Sequence, residues 1–194
     1  MKIPENAKVV FSGNKFKVYG WDQKMFDGSY REFERISWTY GVMVIAVSDG
    51  KVIVLDEEQP TRPRSLGVIG GTIEDGEKPI ETAKRELLEE TGYESDDWVP
   101  LKEYEPYVFV DFKIHLFLAR NCRKVKEQEL DGGEKITVTK QSIEDFMGLY
   151  RILRVIGLDM ATIFYNAEKK RKFIELLSGV SNENVFSELD FPIV

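Results

Sequence analysis

Between Gly70 and Glu94 the chain reads GGTIEDGEKPIETAKRELLEETGYE, and no other stretch restricts its fold so tightly. Pro79 suits the first turn of a helix, where its missing N–H would have no partner. Gly92 suits the residue just past the last turn, where a left-handed conformation closes a helix. The spacing predicts a helix from about Glu77 to Thr91. At about 100° per residue, Ile80, Ala83, Leu87 and Thr91 share one narrow face, the side that packs on a sheet. Glu86 and Glu90 then lie one turn apart and about 40° from each other around the axis. Glu89 flanks them, and Arg85 projects from a third side. Such a glutamate pair costs a helix roughly a few tenths of a kcal/mol, and no lysine stands where it would relieve Glu86. A solvated acidic face is one reading. A hard divalent cation such as Mg²⁺, which takes carboxylate oxygens and keeps waters and substrate phosphates, is the other.

The composition narrows the chemistry. The 194 residues carry a net charge of −7, which argues against a general nucleic-acid binder because such proteins need a basic footprint. An anionic small substrate stays open, since a divalent metal reverses the local sign. With one cysteine, Cys122, and one histidine, His115, the chain forms no internal disulfide and offers no thiolate–imidazole zinc set. The start, MKIPENAKVVF, lacks the layout of a signal peptide. The apolar run Gly41–Val47 is too short to cross a bilayer. A cytoplasmic protein without membrane or nucleic-acid partners is the expectation.

Along the chain, Lys15–Trp38 reads as two aromatic-rich strands around an Asp27-Gly28 turn, and Gly41–Glu58 as a second hairpin hinged at Asp49-Gly50. Gln59–Arg64 reads as a proline-broken basic loop, and Ser65–Gly71 as a short strand. Further strands are predicted at Trp98–Val110, Lys113–Ala119 and Lys135–Gln141, with a charged loop over Asn121–Lys135. Ser142 caps a short helix, and a longer helix covers about Asp159 to Leu177. His115 reads as a sheet residue, Cys122 as inert, and the Lys169–Lys172 cluster as a solvated helix face. Strands first and helices after them predict an α/β fold with a mixed sheet, preceded by a small antiparallel unit.

Gly71, Glu77, Arg85, Glu86, Leu87, Glu89, Glu90 and Gly92 reproduce the pattern G-x5-E-x7-R-E-U-x-E-E-x-G-U, where U is a bulky apolar residue. Seven fixed matches arise by chance on the order of 10⁻⁸ times per window, and the stretch resembles the box of the Nudix hydrolases. Tyr93, where an aliphatic residue is usual, is its one mild departure. The resemblance implies an α/β/α sandwich with a mixed β-sheet over residues 40–194. The N-terminal unit, residues 1–39, is the small antiparallel part. It also implies hydrolysis of a nucleoside diphosphate linked to another group, with Mg²⁺ or Mn²⁺. By that analogy Glu86 and Glu90 bind metal, Glu89 binds metal or orients a water, and the Gly70 carbonyl completes a site. Glu77 and Arg85 fix the loop–helix geometry by pairing, while Gly71 and Gly92 belong to the box itself.

Beyond the box the chain is similar to the ADP-ribose pyrophosphatase branch. The resemblance implies a homodimer that exchanges its N-terminal strands, with Gln59 and Arg62 as substrate contacts. Trp21, Phe26, Tyr30, Phe33 and Trp38 are either base-stacking platforms or dimer and core contacts. Arg35 either reaches a phosphate or pairs with a neighbouring glutamate. Glu134 is the candidate general base, in a loop softened by Asp131-Gly132-Gly133; Glu129, Asp131 and Glu89 are its rivals. IGG stands where the branch shows PAG, Pro106 is out of register with a proline the branch carries after the box, and EPYVFVDFKIHLF replaces an SPG-like stretch. These departures leave the sugar and base preference open. Other nucleotides (UDP- or GDP-sugars, dinucleoside polyphosphates, oxidised nucleoside triphosphates) and a non-catalytic nucleotide-sugar-binding regulator are the alternatives.

Overall fold

The main sheet is built around one long hairpin. In the computed structural model, which describes residues 2–105, 109–149, 166–183 and 185–186, β4 (Gly41–Ser48) and β5 (Lys51–Gln59) are joined at Asp49 and Gly50. Both turn residues are left-handed, with φ of 51° and 69°, the conformation that matches the twist of a two-residue hairpin.

The two strands stay paired only from Ala46 to Ser48 and from Lys51 to Ile53. Beyond that they diverge. The freed edge of β4, Gly41–Val44, takes β7 (Ile69–Thr72), while the far end of β5 takes β6 (Arg62–Gly67). With β9 (Asp97–Tyr104), β11 (Ile114–Arg120) and β13 (Lys135–Gln141), they complete a seven-stranded mixed sheet in the order β13-β5-β4-β11-β9. The β4–β11 pair alone in this sheet is parallel.

Both faces of the sheet are covered, which is why β4 reads as an unbroken apolar run rather than an alternation. Val42, Val44, Ala46, Ile53, Leu55 and Phe117 pack with Ala83 and Leu87 of α1 (Pro79–Thr91). Ile45, Val47, Val52, Val54, Leu116 and Leu118 face the other way. There they meet Phe146 and Met147 of α2 (Ile143–Gly148) and Phe173, Leu176 and Leu177 of α3 (Ala167–Leu177). This is the α/β/α sandwich that the resemblance implies.

The N-terminal unit is a separate sheet of β1 (Lys8–Ser12), β2 (Phe16–Lys24) and β3 (Tyr30–Trp38), extended by a parallel β10 (Val110–Asp111). β8 (Tyr93–Glu94) and β12 (Arg123–Lys124) form a small ribbon. β1 is exposed along its whole length, with Val9, Val10 and Phe11 about half accessible.

Several boundaries differ from the sequence reading. The loop expected at Gln59–Arg64 is a turn at Pro60-Thr61 followed by β6. Pro63 is tolerated because β6 pairs on one side only and its register slips between Glu57 and Gln59. Two arginines across the pair, Arg62 on Glu57 at 2.6 Å and Arg64 on Asp56 at 2.5 and 2.6 Å, stitch it down. The strand expected over Trp98–Val110 stops at Tyr104, and β10 joins the other sheet; residues 106–108, and Pro106 with them, lie outside the described residues. So do residues 150–165, which hold the first part of the helix expected from Asp159. Among the described residues, no helix is long and apolar enough to cross a membrane.

One buried cation ties the C-terminal segment to the sheet. Arg120, at the end of β11, donates to both oxygens of Asp97 at 2.8 and 3.0 Å, to Oδ1 of Asn182 at 2.8 Å and to the carbonyls of Leu176 and Ser181. Arg120→Ala leaves those acceptors facing a void. It is expected to lower unfolding free energy by about 3 kcal/mol, read from the urea midpoint.

Candidate active site

The site is assembled where β7 meets α1. Lys78 N donates to the Glu81 carboxylate at 3.0 Å, closing the first turn. Gly92, with φ of 74°, ends the helix by donating to the Leu88 carbonyl at 2.8 Å. Ala83, Leu87 and Thr91 are buried against the sheet, as their spacing predicts, which turns Glu86 and Glu90 toward the strand. Glu90 is 6% exposed, and its Oε2 accepts the Gly70 N–H at 3.1 Å. Gly71 is tighter still: a Cβ there would sit 1.9 Å from Oε1 of Glu86. The glycine makes room for the carboxylate.

Arg85 is the hub of the loop–helix junction. Its Nε and Nη2 grip the two oxygens of Glu77 at 3.0 and 3.1 Å, and Nη2 also reaches the Thr72 carbonyl at 3.2 Å. Its Nη1 donates to Glu86 at 2.8 Å and Glu89 at 3.0 Å. Glu77 additionally accepts from the Thr82 hydroxyl at 2.8 Å and the Glu74 N–H at 3.2 Å. The Arg85 bonds above all, with help from Thr82, hold its carboxyl at about 2.

The neighbouring acids are pushed the other way. Burial, then the charge of Glu86, raises Glu90 to about 9 against the pull of the Gly70 N–H. Burial raises Glu86 despite Arg85, and burial also raises Glu134, with Asp131, Glu57 and Glu89 adding repulsion. The carboxylates crowded into this half-buried hollow outnumber the positive charge that Arg85 brings to it. Among the described residues no three acidic side chains close around a single point, because Arg85 and the Gly70 amide direct Glu86, Glu89 and Glu90 separately. The donor set, hard oxygens in a site that resists their ionisation, nevertheless fits Mg²⁺ or Mn²⁺.

Two cavities meet here. One, of about 660 Å³, is lined by Glu86, Glu89, Glu90, Arg85, Glu129, Asp131 and Glu134, and by Lys15 of the N-terminal unit. The other, of about 460 Å³, is lined by Trp38, Met43, Leu66, Val68, Phe112, Gln59 and Arg62. Gln59, Gly70, Gly71, Thr72, Glu90 and Glu134 belong to both. An acidic hollow thus opens directly into an aromatic cleft. It arises from the divergence of β4 and β5, which leaves β6 and β7 to wall the gap.

The structure brings Glu134, Glu89, Arg85, Glu86, Glu90, Gly70, Gly71, Gln59, Arg62 and Trp38 together. Glu77 supports them through Arg85. Trp38 packs on Phe112 with ring centroids 6.0 Å apart, and on Phe16 at 6.4 Å. Arg35 lines neither cavity. It is 6% exposed on β3, with Nη2 3.5 Å from the Val110 carbonyl and 3.8 Å from Glu105, and among the described residues its Nε has no hydrogen-bond partner. Trp21 packs on Phe33, and Phe26 and Tyr30 stand in solvent. Sequence reasoning missed Glu57, which accepts from Gln59 at 2.6 Å and from Arg62 at 2.6 Å and so fixes both. It continues the row of Ile53 and Leu55 that faces α1, and an acid extending an inward-facing apolar row was the available signal.

A family model of the NUDIX domain matches residues 38–154. The chain is 33% identical over 144 residues to the ADP-ribose pyrophosphatase of Bacillus subtilis (strain 168), covering 72% of this chain and 78% of that protein. It is 29% identical over 151 residues to the methanol dehydrogenase activator of Bacillus methanolicus, covering 75% and 81%. The crystal structure of an ADP compounds hydrolase superposes with a TM-score of 0.66 at 23% identity, over 92% of this chain and 95% of that one, a likeness of fold.

Gly71→Ala is expected to leave stability within about 1 kcal/mol, since the obstructing atom ends a flexible side chain. Turnover should nonetheless fall about tenfold or more as Glu86 is displaced. Thermal melting and initial rates on one preparation separate the two effects. Because the folded-state value of Glu77 is depressed from 4.5 to about 2, its stabilising contribution is complete above about pH 4.5. It is lost as pH falls toward 2. Glu77→Gln should flatten that limb of the stability–pH curve, measured by denaturant titration.

Proposed function

The chain belongs to the Nudix family, as a pyrophosphatase of the hydrolase class, and on that premise we propose that it cleaves ADP-ribose or a related nucleoside diphosphate sugar. The products are a nucleoside monophosphate and a sugar phosphate. The observation that carries this reading is the junction of an acidic hollow with an aromatic cleft at Gly70, Gly71, Glu90 and Glu134. A diphosphate linking two bulky groups is a ligand that needs both. The similarity to an ADP-ribose pyrophosphatase supports the same choice.

Glu86, Glu89 and Glu90, with the Gly70 carbonyl, are the residues that would hold Mg²⁺ or Mn²⁺. Bound divalent cations supply charge neutralisation at the diphosphate and make a bound water more acidic. Glu134 accepts the proton of the attacking water; burial makes its carboxylate a better proton acceptor than an exposed glutamate. Arg85 keeps Glu86 and Glu89 on one side of α1. Trp38 offers a face for the base beside Phe112, while Gln59 and Arg62, pre-oriented by Glu57, contact the diphosphate or ribose. Arg35 takes the second of its two roles, pairing with Glu105 and Val110 at the β3–β10 junction. Residues 1–39 form the dimerisation unit: exposed Val9, Val10, Phe11, Phe26 and Tyr30 give it an apolar surface of the kind a partner subunit covers.

Glu86→Gln and Glu90→Gln are expected to fold and to lose several orders of magnitude in turnover. Hydrolysis of ADP-ribose, UDP- and GDP-sugars, dinucleoside polyphosphates and oxidised nucleoside triphosphates in ¹⁸O-water identifies the substrate and the phosphorus attacked. Mg²⁺ or Mn²⁺ should raise the melting temperature of the wild-type chain by mass action and leave Glu90→Gln nearly unmoved. Full activity in either glutamine variant would reverse the assignment.

A further inference from the structure

An α-helix leaves its last carbonyls without internal partners, and in α1 these belong to the residues that carry the site's acids. Leu88 is served by Gly92 N–H. The next two are served from one distant segment. The Glu89 carbonyl accepts Glu129 N–H at 2.9 Å, and the Glu90 carbonyl accepts Nε2 of Gln128 at 2.5 Å. Val125 and Lys126 donate to the Gly92 carbonyl at 2.9 and 3.3 Å. The contact is so close that a Cβ on Gly92 would lie 2.1 Å from the Lys126 oxygen. Residues 125–129 therefore lie across the end of the helix.

Gln128 does more than complete that cap. The same amide nitrogen, with two hydrogens to give, is 3.3 Å from the Ile136 carbonyl on β13. Ile136 is two residues beyond Glu134, and among the described residues β13 pairs with β5 alone. Between Gln128 and Ile136 the chain turns back, Glu134 N–H closing on the Asp131 carbonyl at 2.9 Å. Gln128 thus joins both feet of the loop bearing Glu134 to the backbone of Glu90.

We propose that Gln128 is a positioning residue, which sets the distance between Glu134 and the carboxylates of α1 by bridging the Glu90 and Ile136 carbonyls. The inference rests on the reading of Glu134 as general base. A base must lie within hydrogen-bond reach of the water it deprotonates, and a misplacement of about 1 Å costs on the order of a hundredfold. Backbone carbonyls do not move with side-chain rotamers, so a bridge between them fixes the frame on which both groups are mounted.

The test uses the full chain, ADP-ribose and Mg²⁺. Gln128→Met keeps the length and removes both donors; Gln128→Lys restores a donor. Gln128→Met is expected to lower kcat about 10- to 100-fold with KM changed less than about threefold, and Gln128→Lys to recover part of the loss. Amide exchange over residues 130–136 should quicken in Gln128→Met while α1 stays protected. In a Glu134→Gln background the methionine change should cost nothing further, because the group it positions is gone. Losses that multiply in the double variant overturn the proposal, since a merely structural residue behaves that way. If Gln128→Met does not fold, Gln128→Glu, which keeps the shape and sets an acceptor against both carbonyls, makes the same comparison. A crippled Glu134→Gln beside a fully active Gln128→Met refutes this inference alone; a fully active Glu134→Gln refutes the choice of base and this inference with it.

Discussion

A single guanidinium organises the chemistry of this fold. Arg85 has five donors in a rigid plane and spends them on Glu77, Glu86, Glu89 and the Thr72 carbonyl. The pairing with Glu77 is bidentate, the geometry that gives such contacts direction as well as strength. It locks the loop after β7 to the second turn of α1. The remaining donors restrain two of the acids that would otherwise splay away from their neighbours. Lysine, a point charge on a flexible stem, has no equivalent arrangement.

Around that cation the acids divide into two populations. Glu77 is stabilised as an anion, whereas Glu86, Glu90 and Glu134 resist ionisation through burial and mutual repulsion. One carboxylate serves the architecture and three are held in an environment that favours a cation beside them. The separation follows from place: Glu77 faces Arg85 at the mouth of the loop, while Glu90 lies under β7 with the Gly70 amide as its partner.

Much of this is legible in the sequence because it obeys local rules. The face of α1 given by Ala83, Leu87 and Thr91, the stop at Gly92, the left-handed hinge at Asp49-Gly50 and the Ser142 cap all depend on neighbours within a few residues, and they stand where the spacing puts them. The box acids share a helix, so their common direction is fixed by its period. What the sequence conceals depends on distant partners. β6 looks like a loop because Pro63 cannot donate, and only the single-sided pairing with β5 makes it a strand. Arg35 looks like a ligand contact until Val110 and Glu105, far along the chain, enclose it. Glu57 gives no sign of holding Gln59 and Arg62 until the register of β5 and β6 is known.

The parting of β4 from β5 anchors the two walls of the site separately. Gly70 and Gly71, which accommodate the acids, hang on β4, while Leu66, Arg62 and Gln59 hang on or beside β5. Each wall keeps its own register with its own strand. Substitutions along the β6 wall can therefore reshape the cleft while the glycines that seat Glu86 and Glu90 keep their place beside β4.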